Sequence, residues 1–80
     1  MKKLILYTTE ACHLCELALE QIEQSEYYEK CVVTQIDIAS DIELLRQFAT
    51  RVPVLAATSG QKLLYWPFDH HDVSQCIKNL

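Results

Sequence analysis

Two cysteines three residues apart, Cys12-His13-Leu14-Cys15, fall where a strand-like run gives way to a helix-like one. Lys3-Leu-Ile-Leu-Tyr7 is apolar and β-prone, and the stretch that follows Cys12 carries a helical repeat to about Gln24. Thiols three apart share one helical turn and can close a small disulfide ring. A helix N-terminus offers free N–H donors and a partial positive charge to the first sulfur, which stabilises its thiolate. Thiolate is the form that attacks disulfides. The segment reads as a thiol–disulfide redox site, with metal binding as the rival.

Eighty residues make one small domain, residues 1–80, and 50% hydrophobic residues are enough to build a core. No apolar run approaches the roughly 20 residues of a membrane span. Met1-Lys2-Lys3 imitates the basic region of a signal peptide, but the apolar stretch behind it ends at Tyr7, too short for export. The chain is expected in the cytoplasm, where a C-x-x-C pair favours redox or metal chemistry over structural staples. A formal charge of −4 argues against nucleic acid as a partner. With Gly60 the only glycine, glycine-rich phosphate loops are excluded. The acid is uneven: Glu10, Glu16, Glu20, Glu23, Glu26 and Glu29 crowd one stretch, with Lys30 its only lysine or arginine. That face is either simply solvated or a docking surface for a basic protein.

Further along, the order of elements reads β-α-β-α-β-β-α. In the first helix Cys15, Ala18, Leu19 and Ile22 form an apolar stripe that Leu14 and Leu17 widen. Residues 31–38 carry β-branched Val32, Val33, Ile36 and Ile38. Ser40-Asp-Ile-Glu43 matches a capping box before a helix with Leu44, Leu45, Phe48 and Ala49 on its apolar face. Val52 to Ala57 and Lys62 to Trp66 read as strands joined by a hairpin at Thr58-Ser59-Gly60, and Pro67 ends the second. Asp69-His-His-Asp72 opens a last helix with apolar Val73, Cys76, Ile77 and Leu80. Strands joined by a helix should pair in parallel, and the closing hairpin antiparallel.

Taken together, Tyr7-Thr-Thr-Glu-Ala-Cys-His-Leu-Cys15, Gln35-Ile-Asp-Ile38, Arg51-Val-Pro-Val-Leu55 and Trp66-Pro-Phe-Asp69 resemble the glutaredoxin branch of the thioredoxin-like superfamily. The likeness spans essentially the whole chain, which is also similar to a family of small bacterial glutaredoxin-like proteins. It implies an α/β thioredoxin-like fold with a four-stranded mixed sheet flanked by three helices. It further implies that Cys12 is the nucleophile, that Cys15 is the resolving thiol, and that the Val52–Pro53 peptide is cis. Val52 and Pro53 would then position the backbone of an extended substrate, in the manner of strand addition. The expected activity is thiol–disulfide oxidoreduction on a disulfide-bearing protein or small thiol, by a monomer without a resident cofactor or metal.

Two departures from the glutaredoxin pattern bear on substrate. Thr9 and Glu10 stand where a basic residue usually precedes the first cysteine, and Glu10 disfavours negative charge at Cys12. Pro67-Phe68-Asp69-His70 replaces the glycine pair that binds the γ-glutamyl end of glutathione, which disfavours glutathione as co-substrate. His13 either supports the thiolate and contacts substrate or is a solvent-facing residue of the dipeptide. His70 and His71 invite a zinc site with the cysteine pair, but adjacent histidines at a helix start should diverge, so no metal ligands are assigned. Cys76 sits on an apolar stripe and Cys31 begins a strand; Asp37 should cap the turn behind its strand. A non-enzymatic interaction module and a metal or iron–sulfur carrier stand as the alternatives to an enzyme.

Overall fold

The apolar alternation of β1 (Lys2–Thr8) buries Leu4 and Leu6 completely on one side of the strand, and the rest of the molecule is arranged around that fact. The computed structural model describes residues 2–58 and 62–80. After β1 come α1 (His13–Glu23), β2 (Cys31–Asp37), α2 (Ile42–Phe48), β3 (Val54–Ala57), β4 (Lys62–Tyr65) and α3 (His70–Lys78). Short 3₁₀ turns at Tyr28–Lys30 and Ile38–Ser40 bracket β2. The four strands form one mixed sheet in the order β2-β1-β3-β4. β1 runs parallel to β2, from Lys2 opposite Cys31 to Thr8 opposite Asp37, and antiparallel to β3. β3 and β4 pair antiparallel. The turn expected at Thr58-Ser59-Gly60 lies largely outside the described residues.

The period-2 alternation of the strands divides the core between the two faces of the sheet. On one face Leu4, Leu6, Leu55 and Ala57 meet Ala18 and Ile22 of α1 and Val73, Cys76 and Ile77 of α3. On the other face Tyr7 and Val54 meet Ile38 and Phe48, with the Tyr7 and Phe48 rings stacked at 4.8 Å. That stack braces the end of β1 that leads into the cysteine pair. Because α2 spans only seven residues, it leaves Val32 and Leu63 uncovered on its side of the sheet. Two hydrogen bonds tie α1 and the turn behind it to α3: His70 N–H donates to Gln21 Oε1 at 2.9 Å, and Glu26 N–H to Ser74 Oγ at 2.9 Å. Among the described residues no helix is long and apolar enough to cross a membrane.

Several local expectations need correction. Asp41, not Ser40, caps α2, accepting from Glu43 N–H at 2.8 Å. Ser40 belongs to the preceding 3₁₀ turn, and its hydroxyl donates to Asp37 O at 2.7 Å. A carboxylate is the stronger acceptor for a helix-start N–H, so it displaces the hydroxyl. Leu45 and Ala49 are exposed, leaving Phe48 as the buried anchor of α2. Leu14 does not widen the buried stripe of α1; it faces outward at 45% exposure. Asp37 does cap its turn, accepting from Ala39 N–H.

A reciprocal capping box closes the start of α3: Asp72 N–H donates to Asp69 Oδ1, and Asp69 N–H donates to Asp72 Oδ2. The Asp72 N–H is the main cause holding the Asp69 carboxyl below the usual carboxylate range. A folded-state pKa below the unfolded one gives a contribution fully present above the ordinary carboxylate value of about 3.9, lost as pH falls through the lowered one. An amide NMR titration should therefore show the Asp72 cap signal intact at about pH 4 and lost only in stronger acid. Asp69→Asn should abolish that acid transition.

Candidate active site

Cys12 is the N-cap of α1, with extended backbone (φ −91°, ψ 101°), and its sulfur accepts the Cys15 N–H at 3.1 Å. Caps are normally oxygen acceptors, and neutral sulfur is a weak one. A thiolate at the same place satisfies the free helix donors better, so the cap position itself favours the charged form. Cys12 is half-buried and Cys15 is buried at 7% exposure. The two are joined in a disulfide with Cα atoms 5.2 Å apart, a span native disulfides commonly bridge. Ala11 delivers the chain to this cap with φ +54°, in the left-handed region that a residue with a Cβ enters only at a cost.

Two concavities flank the pair. One, of ≈ 220 Å³, brings Thr8, Ala11, Cys12, Cys15, Glu16 and Gln35 to a common surface, so it opens directly on the sulfurs. The larger, of ≈ 500 Å³, is a groove between Leu14 on one side and Thr50, Arg51, Val52, Tyr65 and Trp66 on the other. Arg51 lies over the Tyr65 ring, 5.1 Å from its centroid, an orientation that cation–π attraction favours. The larger groove does not touch the sulfurs; Leu14, between the two cysteines in the chain, lines it.

The Val52–Pro53 peptide that borders this groove is cis. Pro53 is buried, and its carbonyl accepts from Trp66 N–H at 3.3 Å. Val52 is half-buried, and its N–H is engaged with Phe48 O at 3.2 Å at the end of α2. Its carbonyl has no protein donor among the described residues. Of the Val52 backbone expected to meet a substrate strand, the N–H is therefore engaged within the protein. A second cis bond, Trp66–Pro67, was not anticipated from sequence, and neither was the Arg51–Tyr65–Trp66 wall. A lone cation immediately before Val-Pro-Val was the signal that could have found the wall.

His13 is exposed, with Nδ1 3.6 Å from Glu16 Oε2. The His70 and His71 rings do not diverge; they lie tilted against each other with centroids 4.1 Å apart. Among the described residues no three His, Cys, Asp or Glu side chains gather to hold a metal ion. Cys76 is buried and free, and Cys31 is free and half-exposed. Burial pushes both thiols up, which keeps them protonated at neutral pH; Lys2 partly offsets this at Cys31, and Lys62 at Cys76.

At the start of α3 three backbone donors are taken, while Phe68 N–H has no acceptor among the described residues. Asp69 N–H and Asp72 N–H serve the capping box, His70 N–H serves Gln21, and Pro67 has no N–H. The side chain of Phe68 is buried, packed edge-on to Trp66 at 5.1 Å.

Residues 3–78 match the family model described as "Glutaredoxin-like domain (DUF836)". Among solved structures, the chain is similar to the solution structure of XcR50 from X. campestris, at 30% identity and a TM-score of 0.83 over 100% of this chain and 96% of that one. The X-ray structure of the same protein gives 29% identity and a TM-score of 0.77 over 96% of this chain and 97% of that one. Protein Ne2328 from Nitrosomonas europaea gives 31% identity and 0.73 over 95% and 89%. A search of curated proteins gives no match.

The left-handed Ala11 supplies a direct test of the loop geometry. Relief of the Cβ clash is worth roughly 1–2 kcal/mol, offset by roughly 0.4–1 kcal/mol of added unfolded-state entropy. Ala11→Gly should stabilise the fold by roughly 0.5–1 kcal/mol in urea unfolding, and Ala11→Val should destabilise it.

Proposed function

Because the chain belongs to the glutaredoxin-like domain family, we propose that it is a thiol–disulfide oxidoreductase that exchanges disulfides with a protein or small-molecule substrate through Cys12 and Cys15. The observation that carries this reading is the disulfide at the start of α1, with Cys12 as both cap and half-exposed sulfur. In the reductive direction the Cys12 thiolate attacks one sulfur of a substrate disulfide. A Cys12–substrate disulfide forms and the other substrate sulfur leaves as thiolate. Cys15, once deprotonated, then attacks the Cys12 sulfur; the Cys12–Cys15 bond forms and the second substrate thiolate leaves. Two electrons pass from the dithiol to the substrate, and an external thiol restores the dithiol.

The groove beside Val52 and Pro53 supports an extended peptide as substrate, with the Val52 carbonyl as its acceptor and Leu14, Tyr65 and Trp66 as apolar contacts. On this reading His13, exposed beside the pair, would contact the substrate. Glutathione is the less suitable partner. With the amides of Asp69, His70 and Asp72 engaged and Pro67 lacking one, the start of α3 offers few donors to a γ-glutamyl carboxylate. Exposed Glu16, Glu20 and Glu23 on α1 suit a basic protein. The free Cys31 and Cys76 suit a reducing compartment such as the cytoplasm.

Trapping tests the proposal. Cys15→Ser should retain substrate as a mixed disulfide on Cys12, released by reductant, and should reduce insulin far more slowly than the native dithiol. Cys12→Ser should trap nothing. Insulin reduction that proceeds undiminished in Cys12→Ser would overturn the assignment.

A further inference from the structure

At the end of the sheet opposite the disulfide, a pocket of ≈ 350 Å³ is lined by Lys2, Tyr27, Lys30, Ile77 and Lys78. It is built from four separate parts of the chain: the start of β1, the turn after α1, the 3₁₀ turn before β2 and the last turn of α3. Three of the chain's seven lysines and arginines meet there, although the molecule as a whole carries −4. Like charges brought together from separate segments repel unless something of opposite sign joins them.

Among the described residues no carboxylate supplies that counter-charge at ion-pair distance. Among the described residues the only ion pairs are His13–Glu16 and Arg46–Glu43, so none of the three lysines lies within 4.0 Å of a carboxylate. Helix-end electrostatics accounts for part of the cluster. Lys2 Nζ donates to Ile77 O at 2.9 Å, and Lys78 lies in the last turn of α3, where a cation is favoured. It does not account for Lys30, which belongs to the turn on the other side of the pocket. The Lys2 bond also holds one ammonium in place at the pocket, so its ordering need not await a ligand.

We propose that this pocket binds a small organic polyanion of the phosphate-ester class. Three separate ammonium groups suit a tetrahedral oxyanion that accepts from several directions; a single planar carboxylate is better matched by an arginine fork. Tyr27 and Ile77 give the pocket an apolar wall against which the organic part of the ligand lies. Its volume is well above the ~30 Å³ share of one water, so there is room for more than a bare ion. β1 separates the pocket from the disulfide by roughly 20 Å, and Cys31 pairs with Lys2 across the sheet, which makes its amide a reporter of occupancy.

The test is an amide NMR titration of the full-length oxidised chain with inorganic pyrophosphate, with citrate run in parallel at matched ionic strength. Saturable shifts are expected at Tyr27, Lys30, Cys31 and Lys78, with affinity falling as sodium chloride is raised. The exposed double variant Lys30→Gln/Lys78→Gln should keep the native spectrum elsewhere and bind at least about tenfold more weakly, the scale of losing two charge-assisted contacts. Citrate should bind more weakly than pyrophosphate. Shifts that do not saturate, or that persist unchanged in the double variant, would overturn the site; citrate binding as tightly as pyrophosphate would overturn the phosphate assignment.

Discussion

The bond from Cys15 N–H to the Cys12 sulfur joins the fold to its chemistry. Four N–H groups at the start of any α-helix lack intrahelical partners, and a sulfur that caps them is drawn toward negative charge. For that sulfur to occupy the cap, β1 must end and α1 must begin within a few residues. The chain manages this turn with Ala11 in the left-handed region. The buried Leu4 and Leu6 fix β1, the buried Ala18 and Ile22 fix α1, and the strained residue between them is held by both. Exposed Glu16 opposes a thiolate at Cys12, but a solvated carboxylate acts through water and salt, whereas the cap donor is in contact.

The surroundings of the pair then set what it can meet. On the Leu14 side a groove of aromatic, apolar and cationic groups lies beside the pair without touching the sulfurs. At the start of α3, three backbone donors are engaged by the Asp69–Asp72 box and by Gln21. The engagement of Val52 N–H by Phe48 O leaves its carbonyl as the Val52 backbone group without a protein partner among the described residues. The geometry is that of a glutaredoxin-like fold in which several backbone donors at the start of α3 hold the protein's own helices. The basic pocket at the far end of the sheet is independent of this chemistry and rests on charge placement alone.

Much of this was legible in the residues. The strands and helices follow from period-2 and 3.6-residue patterning strong enough to survive in a short chain, as in Leu4/Leu6 and Ala18/Ile22. The cysteine pair fell at a helix start because Thr8-Thr-Glu interrupts the apolar strand just before it. What patterning did not show were choices among near-equivalent polar groups. Ser40 and Asp41 both fit a cap, and acceptor strength decided for Asp41. Leu14 fits an apolar stripe by spacing, yet it is exposed and lines the groove instead. Arg51, Tyr65 and Trp66 are brought together by strand pairing between distant segments, which no local window contains.

On the proposed reading, the N-cap position makes Cys12 the reactive sulfur of the pair. The most direct measurement is the rate at which each cysteine of the freshly reduced native protein is alkylated by iodoacetamide at pH 7, read peptide by peptide. The account predicts that Cys12 is modified at least about tenfold faster than Cys15, and that the two react alike once urea has removed the helix. Cys15 reacting as fast as Cys12 in the native protein, or a preference for Cys12 that survives unfolding, would contradict it.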